Sequence, residues 1–131
     1  MALRIVLLGS PRSADEGLRL GTVRRPPRGV KRADYAALDH FDLWLPELAP
    51  SAALLGWARS QPLNQKRWTS FKRRYLSEMR RPSAQRLIAL LAALSLRQNL
   101  SVGCYCEDET RCHRSLLKQL LRAAAAAVEE K

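Results

Sequence analysis

The sequence predicts a single α/β domain spanning residues 1–131, and three observations carry that expectation. Short apolar runs at 4–8 and 100–106 have the length and flanking turn residues of buried strands. Runs at 65–81, 84–98 and 111–128 repeat apolar residues at three- and four-residue spacing, as helices with one buried face do. A chain of 131 residues with 47% hydrophobic content supports one packed core and excludes two large domains.

The first strand, 4–8, gives way to a polar turn containing Pro11, Ser13, Asp15 and Gly17, and a second strand is expected over 18–24. Pro26-Pro27-Arg28-Gly29 ends it, because two prolines lack donors and Gly29 permits positive φ, leaving an irregular arginine-bearing loop. The stretch 35–48 fits neither period. Ser51 is a good N-cap for a helix over 52–59, and 61–64 closes that helix and opens the next. Over 65–81, Trp68, Phe71, Tyr75, Leu76 and Met79 form one stripe, with Lys66, Arg67, Arg73, Arg74, Arg80 and Arg81 opposite. Lys72 falls within the apolar stripe, where its ammonium must snorkel, pair or face a ligand. Pro82 breaks the pattern, and Ser83 is the expected cap of a core helix over 84–98. The run 100–106 places Leu100, Val102, Cys104 and Cys106 on one strand face. A last helix over 111–128 includes the five alanines 123–127, strong helix formers, and is expected to fray at 129–131.

Charge narrows the partners. Against 12 acids stand 23 Lys and Arg, a formal charge of +11. The excess gathers in 1–32, where only Asp15 and Glu16 are acidic, and in 59–97, where only Glu78 is. Such a field favours anionic small molecules or nucleic acid, and a solvated basic face is the plain alternative. No apolar run is long enough to span a membrane or to form a secretory core, so cytoplasmic residence and reduced thiols are expected. Oligomeric state and cofactor are not encoded legibly.

Cys104, Cys106 and Cys112 and one of the two histidines, His113, lie within ten residues. They sit on a strand, turn and helix unit, the place where open α/β sheets bind ligands and where a helix N-terminus favours anions. In the first helical turn beside Arg111 and Arg114, Cys112 would have its thiolate favoured, with Glu107, Asp108 and Glu109 opposing. His113 shares a stripe with Leu116 and Leu120 and should face the sheet. Three uses remain open: a thiol and imidazole pair, a metal site, and a structural corner. Zinc is disfavoured because neighbouring helical residues point about 100° apart, so Cys112 and His113 would not join both strand cysteines. Neither the Cys-x-x-Cys of zinc deaminases nor a Cys followed six positions later by Arg is present.

Pro27-Arg28-Gly29-Val30, Leu43-Trp44-Leu45, Glu47-Leu48-Ala49-Pro50-Ser51, Trp68, Phe71, Arg74-Tyr75, Glu78 and Cys112-His113-Arg114 together resemble the bacterial domain of unknown function 488, YeaO-like branch. The resemblance covers about 3–122; Pro26 stands where that branch tends to carry Trp. It implies a compact Rossmann-like fold, a small, mostly parallel sheet flanked by helices, and no activity to transfer. It also implies that Arg24, Arg28, Arg74, Tyr75 and Cys112-His113-Arg114 border one cleft, where arginine forks suit phosphate or carboxylate. Structural ion pairs among Arg28, Arg74, Glu47 and Glu78 are the alternative.

The expectation is therefore a phosphate-bearing ligand, such as a nucleotide, bound by Arg24, Arg28, Arg74, Tyr75 and Arg114. Cys112 is the candidate nucleophile and His113 the acid, base or orienting group, with no metal. The rivals are a nucleic-acid-binding accessory using the basic helix face, and a protein-interaction module.

Overall fold

The structure, a computed structural model, describes residues 1–106 and 108–129. It contains four strands, β1 (Leu3–Leu7), β2 (Leu18–Gly21), β3 (Leu43–Trp44) and β4 (Leu100–Cys104). Four helices, α1 (Ala52–Arg59), α2 (Gln65–Glu78), α3 (Pro82–Ser95) and α4 (His113–Ala123), complete the α/β fold. All strand pairs are parallel, in the order β1-β4-β2-β3. Leu7 stands opposite Cys104 on one edge of β4, and Gly21 opposite Gly103 on the other. All five β4 residues are buried.

The two faces of the sheet are covered differently. Leu20, Leu100 and Val102 join one core with Leu54 of α1, Phe71 and Tyr75 of α2, Ile88 of α3, and Leu116, Leu117 and Leu121 of α4. Strand alternation puts Arg4, Arg19 and Ser101 on the opposite face, which the connection between β1 and β2, residues 8–17, covers without a helix. Arg4 donates to Ser13 Oγ at 2.8 Å and to Asp15 at 3.1 Å. Arg19, with no exposed surface, grips Glu16 through Nε at 2.6 Å and Nη2 at 2.8 Å, and its Nη1 donates to the carbonyls of Ser10 and Asp39. Glu16 also accepts from Ser101 Oγ at 2.8 Å. The crossover's end is fixed by Gly17, whose φ is +79° and whose place leaves no room for a Cβ beside the Asn99 carbonyl.

Several element boundaries differ from the sequence expectation for identifiable reasons. Ser51 and Asn64 cap α1 and α2, accepting from Leu54 N at 3.1 Å and Arg67 N at 2.9 Å. Arg81, not Ser83, is the N-cap of α3, because Pro82 occupies the first helical position, where its fixed φ and missing N–H cost nothing. Lys72 is exposed, while Phe71, Tyr75 and Met79 are buried. The second strand stops at Gly21, although Thr22 N still donates to Gly103 O at 2.9 Å.

The largest departure is in the alanine run. Helix α4 ends at Ala123 rather than continuing to 128, and Ala125 takes φ +67°. The bonds Ala126 N to Leu121 O (2.9 Å) and Ala125 N to Arg122 O (3.0 Å) close it as a Schellman motif. Helix propensity yields here to the free edge of β1. Leu3 N donates to Ala127 O at 2.7 Å, and Glu129 N donates to Leu3 O at 2.8 Å. Glu129, expected to fray, instead meets Arg4 Nε at 2.7 Å; residues 130 and 131 lie outside the described residues.

Ala125→Gly should raise stability by about 1 kcal/mol in urea unfolding, because a Cβ is strained in the left-handed conformation of residue 125 and glycine is not. Glu16→Gln should cost about 3–5 kcal/mol, since it leaves the Arg19 charge buried against a neutral partner. Burial alone would raise the Glu16 pKa, but the Arg19 and Ser101 hydrogen bonds and the Arg19 charge outweigh it and hold it below its ordinary value. Its stabilisation is thus complete above the ordinary carboxylate pKa and is lost as pH falls through the lowered one. Urea midpoints of wild type and Glu16→Gln should therefore converge as the pH is lowered through that range.

Candidate functional site

Parallel strands leave their last carbonyls and the loops that follow at one edge of the sheet, and three segments meet there. β4 runs on through Tyr105 to Cys106, β2 runs on through Thr22 and Val23 to Arg24 and Arg25, and the start of α4 returns Cys112, His113 and Arg114. The three sulfurs lie within 4.8 Å of one another. Cys104 Sγ and Cys112 Sγ are 2.9 Å apart. Cys112 is the N-cap of α4, with extended backbone (φ −124°, ψ 150°), rather than a residue of its first turn. The helical 100° spacing therefore does not apply to it, and its sulfur reaches the strand cysteines.

His113 is buried among the strand ends, as its helical stripe implied. Its Nε2 lies 2.7 Å from the Thr22 carbonyl, so Nε2 carries the proton and Nδ1, 3.7 Å from Cys112 Sγ, presents a lone pair to that thiol. Burial lowers the His113 pKa to about 4, against the Thr22 hydrogen bond, which raises it. Arg114 is also buried and ties two strand ends together, donating to Val6 O at 2.9 Å and to Cys106 O.

Of the three thiols, only that of Cys106 is drawn toward the thiolate. Hydrogen bonds from Cys104 and Cys112 hold its thiol well below the ordinary range, against burial and helped by the charge of Arg114. The Cys104 thiol is pushed up by its hydrogen bonds to Cys106 and Cys112 and by burial. For Cys112 the Cys104 bond acts downward, but the bond to Cys106, burial and the Cys106 charge prevail and push it up to about 11.

Above the sulfurs opens a cleft of about 300 Å³, lined by Arg24, Arg25 and Arg59, by the apolar Val23, Pro50 and Leu55, and by Cys104, Tyr105, Cys106 and His113. Arg24 belongs to this cleft, and its Nε and Nη2 are committed to the carbonyls of Pro50, Pro46 and Ala49. The other arginines expected at the cleft lie elsewhere. Arg28 is exposed in the 28–29 turn, and Arg74 stacks over the Trp57 ring at 4.4 Å. Tyr75 is wholly buried; its hydroxyl donates to Leu48 O at 2.8 Å and its ring lies 5.6 Å from that of His113. Arg114 acts on backbone carbonyls beneath the site. Cys112 sits behind Cys106 and outside the cleft lining. Glu78, weighed as an arginine partner, accepts from Ser51 N at 2.8 Å and from its hydroxyl at 2.5 Å.

Arg25 and Arg59 were not singled out by sequence, and Cys106 was noted as a cluster member but not as the exposed thiol of the three. Cys106 carried a signal, since it belongs to the cysteine cluster; Arg59, the last residue of α1, carried none. Of the basic face, Lys66, Arg73, Arg74, Arg80 and Arg81 are exposed, the last two beyond the end of α2, and Arg67 and Arg74 lie over Trp57 at 4.1 and 4.4 Å. Among the described residues no helix is long and apolar enough to cross a membrane.

His113 should remain neutral from pH 8 to below 6, with a flat imidazole chemical shift in that range by NMR. Because its folded pKa lies below the ordinary 6.5, its contribution to stability is complete above that value. That contribution is lost as pH falls toward 4.

No curated protein and no solved structure matches the chain. A family model, DUF488-N3a, described as the active DUF488-N3 subclade, matches residues 3–125. With the parallel α/β fold and the Cys112-His113-Arg114 turn in view, that match over nearly the whole length makes the chain a member of the domain of unknown function 488 family.

Proposed function

We propose that the cleft binds a phosphate-bearing small molecule of at most nucleotide size and that the chemistry on its floor is carried by a thiolate. The observation that carries this reading is the convergence of Arg24, Arg25 and Arg59 over Cys106 and His113. Guanidinium groups are suited to phosphate oxygens, and a cleft of about 300 Å³ lies at the small end of ligand sites. Val23, Pro50 and Leu55 offer apolar contact for the rest of the ligand. The description of the subclade as active fits a chain that performs a reaction.

In this reading the roles shift within the expected set. Cys106 faces the ligand as the nucleophile, and Cys112 lies behind it as a hydrogen-bond donor. His113 orients Cys112 through its free Nδ1, and Arg114 holds the Cys106 backbone in place. Arg24 is both a clamp on the 46–50 turn and one wall of the cleft.

Iodoacetamide labelling read by peptide mass tests the proposal. Cys106 should label at neutral pH well ahead of Cys104 and Cys112, and added inorganic phosphate or ATP should slow that labelling. Arg25→Ala combined with Arg59→Ala should remove the protection while leaving labelling without anion in place, since both side chains are exposed. Labelling indifferent to both anions would sink the ligand reading. Salt-sensitive binding of duplex DNA, lost with Lys66, Arg73 and Arg80 but not with Cys106, would replace it with the nucleic-acid role.

A further inference from the structure

We infer that Cys106, Cys112 and Cys104 form a relay that reduces a low-molecular-weight anionic disulfide and comes to rest as a buried Cys104–Cys112 disulfide behind a free Cys106. The inference rests first on placement. Three sulfurs share a sphere of 4.8 Å, yet only Cys106 is exposed, with Cys104 and Cys112 at 1% and 2%. The two buried sulfurs are 2.9 Å apart, so a bond of about 2.05 Å needs a movement on the order of 1 Å. Cys112 stands at the N-cap in extended backbone, its carbonyl held by Ser115 while its side chain lies outside the helical turns. A metal is the competing use of such a cluster. A tetrahedral ion with sulfur at about 2.3 Å would hold its ligands about 3.7 Å apart, well beyond this separation.

The steps balance. The Cys106 thiolate attacks one sulfur of the substrate disulfide; a Cys106 mixed disulfide forms, the substrate S–S bond breaks, and the first thiolate leaves. Cys112 passes its proton by way of His113 Nδ1, 3.7 Å away, to that leaving thiolate and attacks the Cys106 sulfur, expelling the second thiolate. Cys104 then attacks Cys112, gives its proton to the second product, and releases Cys106 as a thiolate again. Two electrons and two protons pass from Cys104 and Cys112 to give two thiols. Cys106 is the preferred leaving group because it is the best-stabilised thiolate of the three. Excess low-molecular-weight thiol reverses the sequence. The preference for an anionic substrate rests on the arginine rim proposed above; the relay rests on the sulfurs.

The test treats the reduced full chain with one equivalent of oxidised glutathione, which is anionic, or of cystamine, which is cationic, followed by thiol counting and tryptic mass mapping. Oxidised glutathione should remove two thiols per chain and leave no glutathione on the protein. It should also link peptide 98–111 to peptide 112–114 and leave Cys106 open to iodoacetamide. Cys106→Ser should oxidise at least about tenfold more slowly, and Cys112→Ser should stop with glutathione on Cys106. A wild-type chain that keeps glutathione on Cys106, a Cys106→Ser chain that oxidises at the wild-type rate, or oxidation only after a chelator strips a bound metal would each overturn the relay. Faster oxidation by cystamine, with the same final disulfide, would overturn the arginine rim and leave the relay standing.

Discussion

The buried pair of Arg19 and Glu16 determines how this small sheet is closed. An α/β sheet buried on both faces ordinarily needs helices on both, and here the helices with their shared core lie on one. The other face carries Arg4, Arg19 and Ser101 and is covered by chain in irregular conformation, whose polar backbone must be met. Arg19 meets much of that need from one fully enclosed guanidinium, which bonds Glu16 twice and the carbonyls of Ser10 and Asp39. Replacing such a pair by apolar residues of equal volume could be neutral in energy, but an apolar pair would not hold the two carbonyls. The same crossover reaches the cysteines: Leu8 N donates to Cys104 O at 2.8 Å, and Leu8 packs with Val23, Phe41, Cys104 and Cys112.

Backbone clearance works with this pair. Gly103 has Val6 O where a Cβ would stand, and Gly21 has the Phe41 ring in the same relation. Both glycines lie on the face without helices, where strands, crossover and Phe41 approach more closely than side chains would allow. That closeness brings the ends of β2 and β4 together, so that Thr22 O can fix the His113 tautomer. The reactive edge is therefore set by the polar face as much as by the apolar core.

Much of this was legible in the sequence, for physical reasons that differ by element. Helix α1 announced itself through Ser51, because a cap is a local interaction between a side chain and an amide three residues on. The aromatic stripe of α2 was legible for the same kind of reason, since its period depends on helix geometry alone. The end of α4 was not, because the competitor of the alanine run is the edge of β1, more than a hundred residues away in the chain. The cysteine cluster was visible by spacing, but the division into one exposed and two buried thiols depends on Cys112 being an N-cap, a matter of one residue in a helix start. Arg28, Arg74 and Tyr75 were grouped with the site by resemblance to a family motif, and residues matched in sequence can serve loop and core rather than a ligand. Arg59 enters the cleft from α1 through tertiary packing that no local pattern records.

The last described residues also bear on what this protein does to its neighbours. Parallel sheets end in strands whose outer amides and carbonyls are ready to pair with another chain. On one side the segment 127–129 occupies that position, bonding Leu3 on both its N–H and its carbonyl. On the other side β3 is two residues long, too short to template a growing ladder even though Leu43 and Trp44 are exposed. The break in the final helix thus covers the start of the β1 edge, where a straight helix would leave the Leu3 amide and carbonyl open to pairing with another chain.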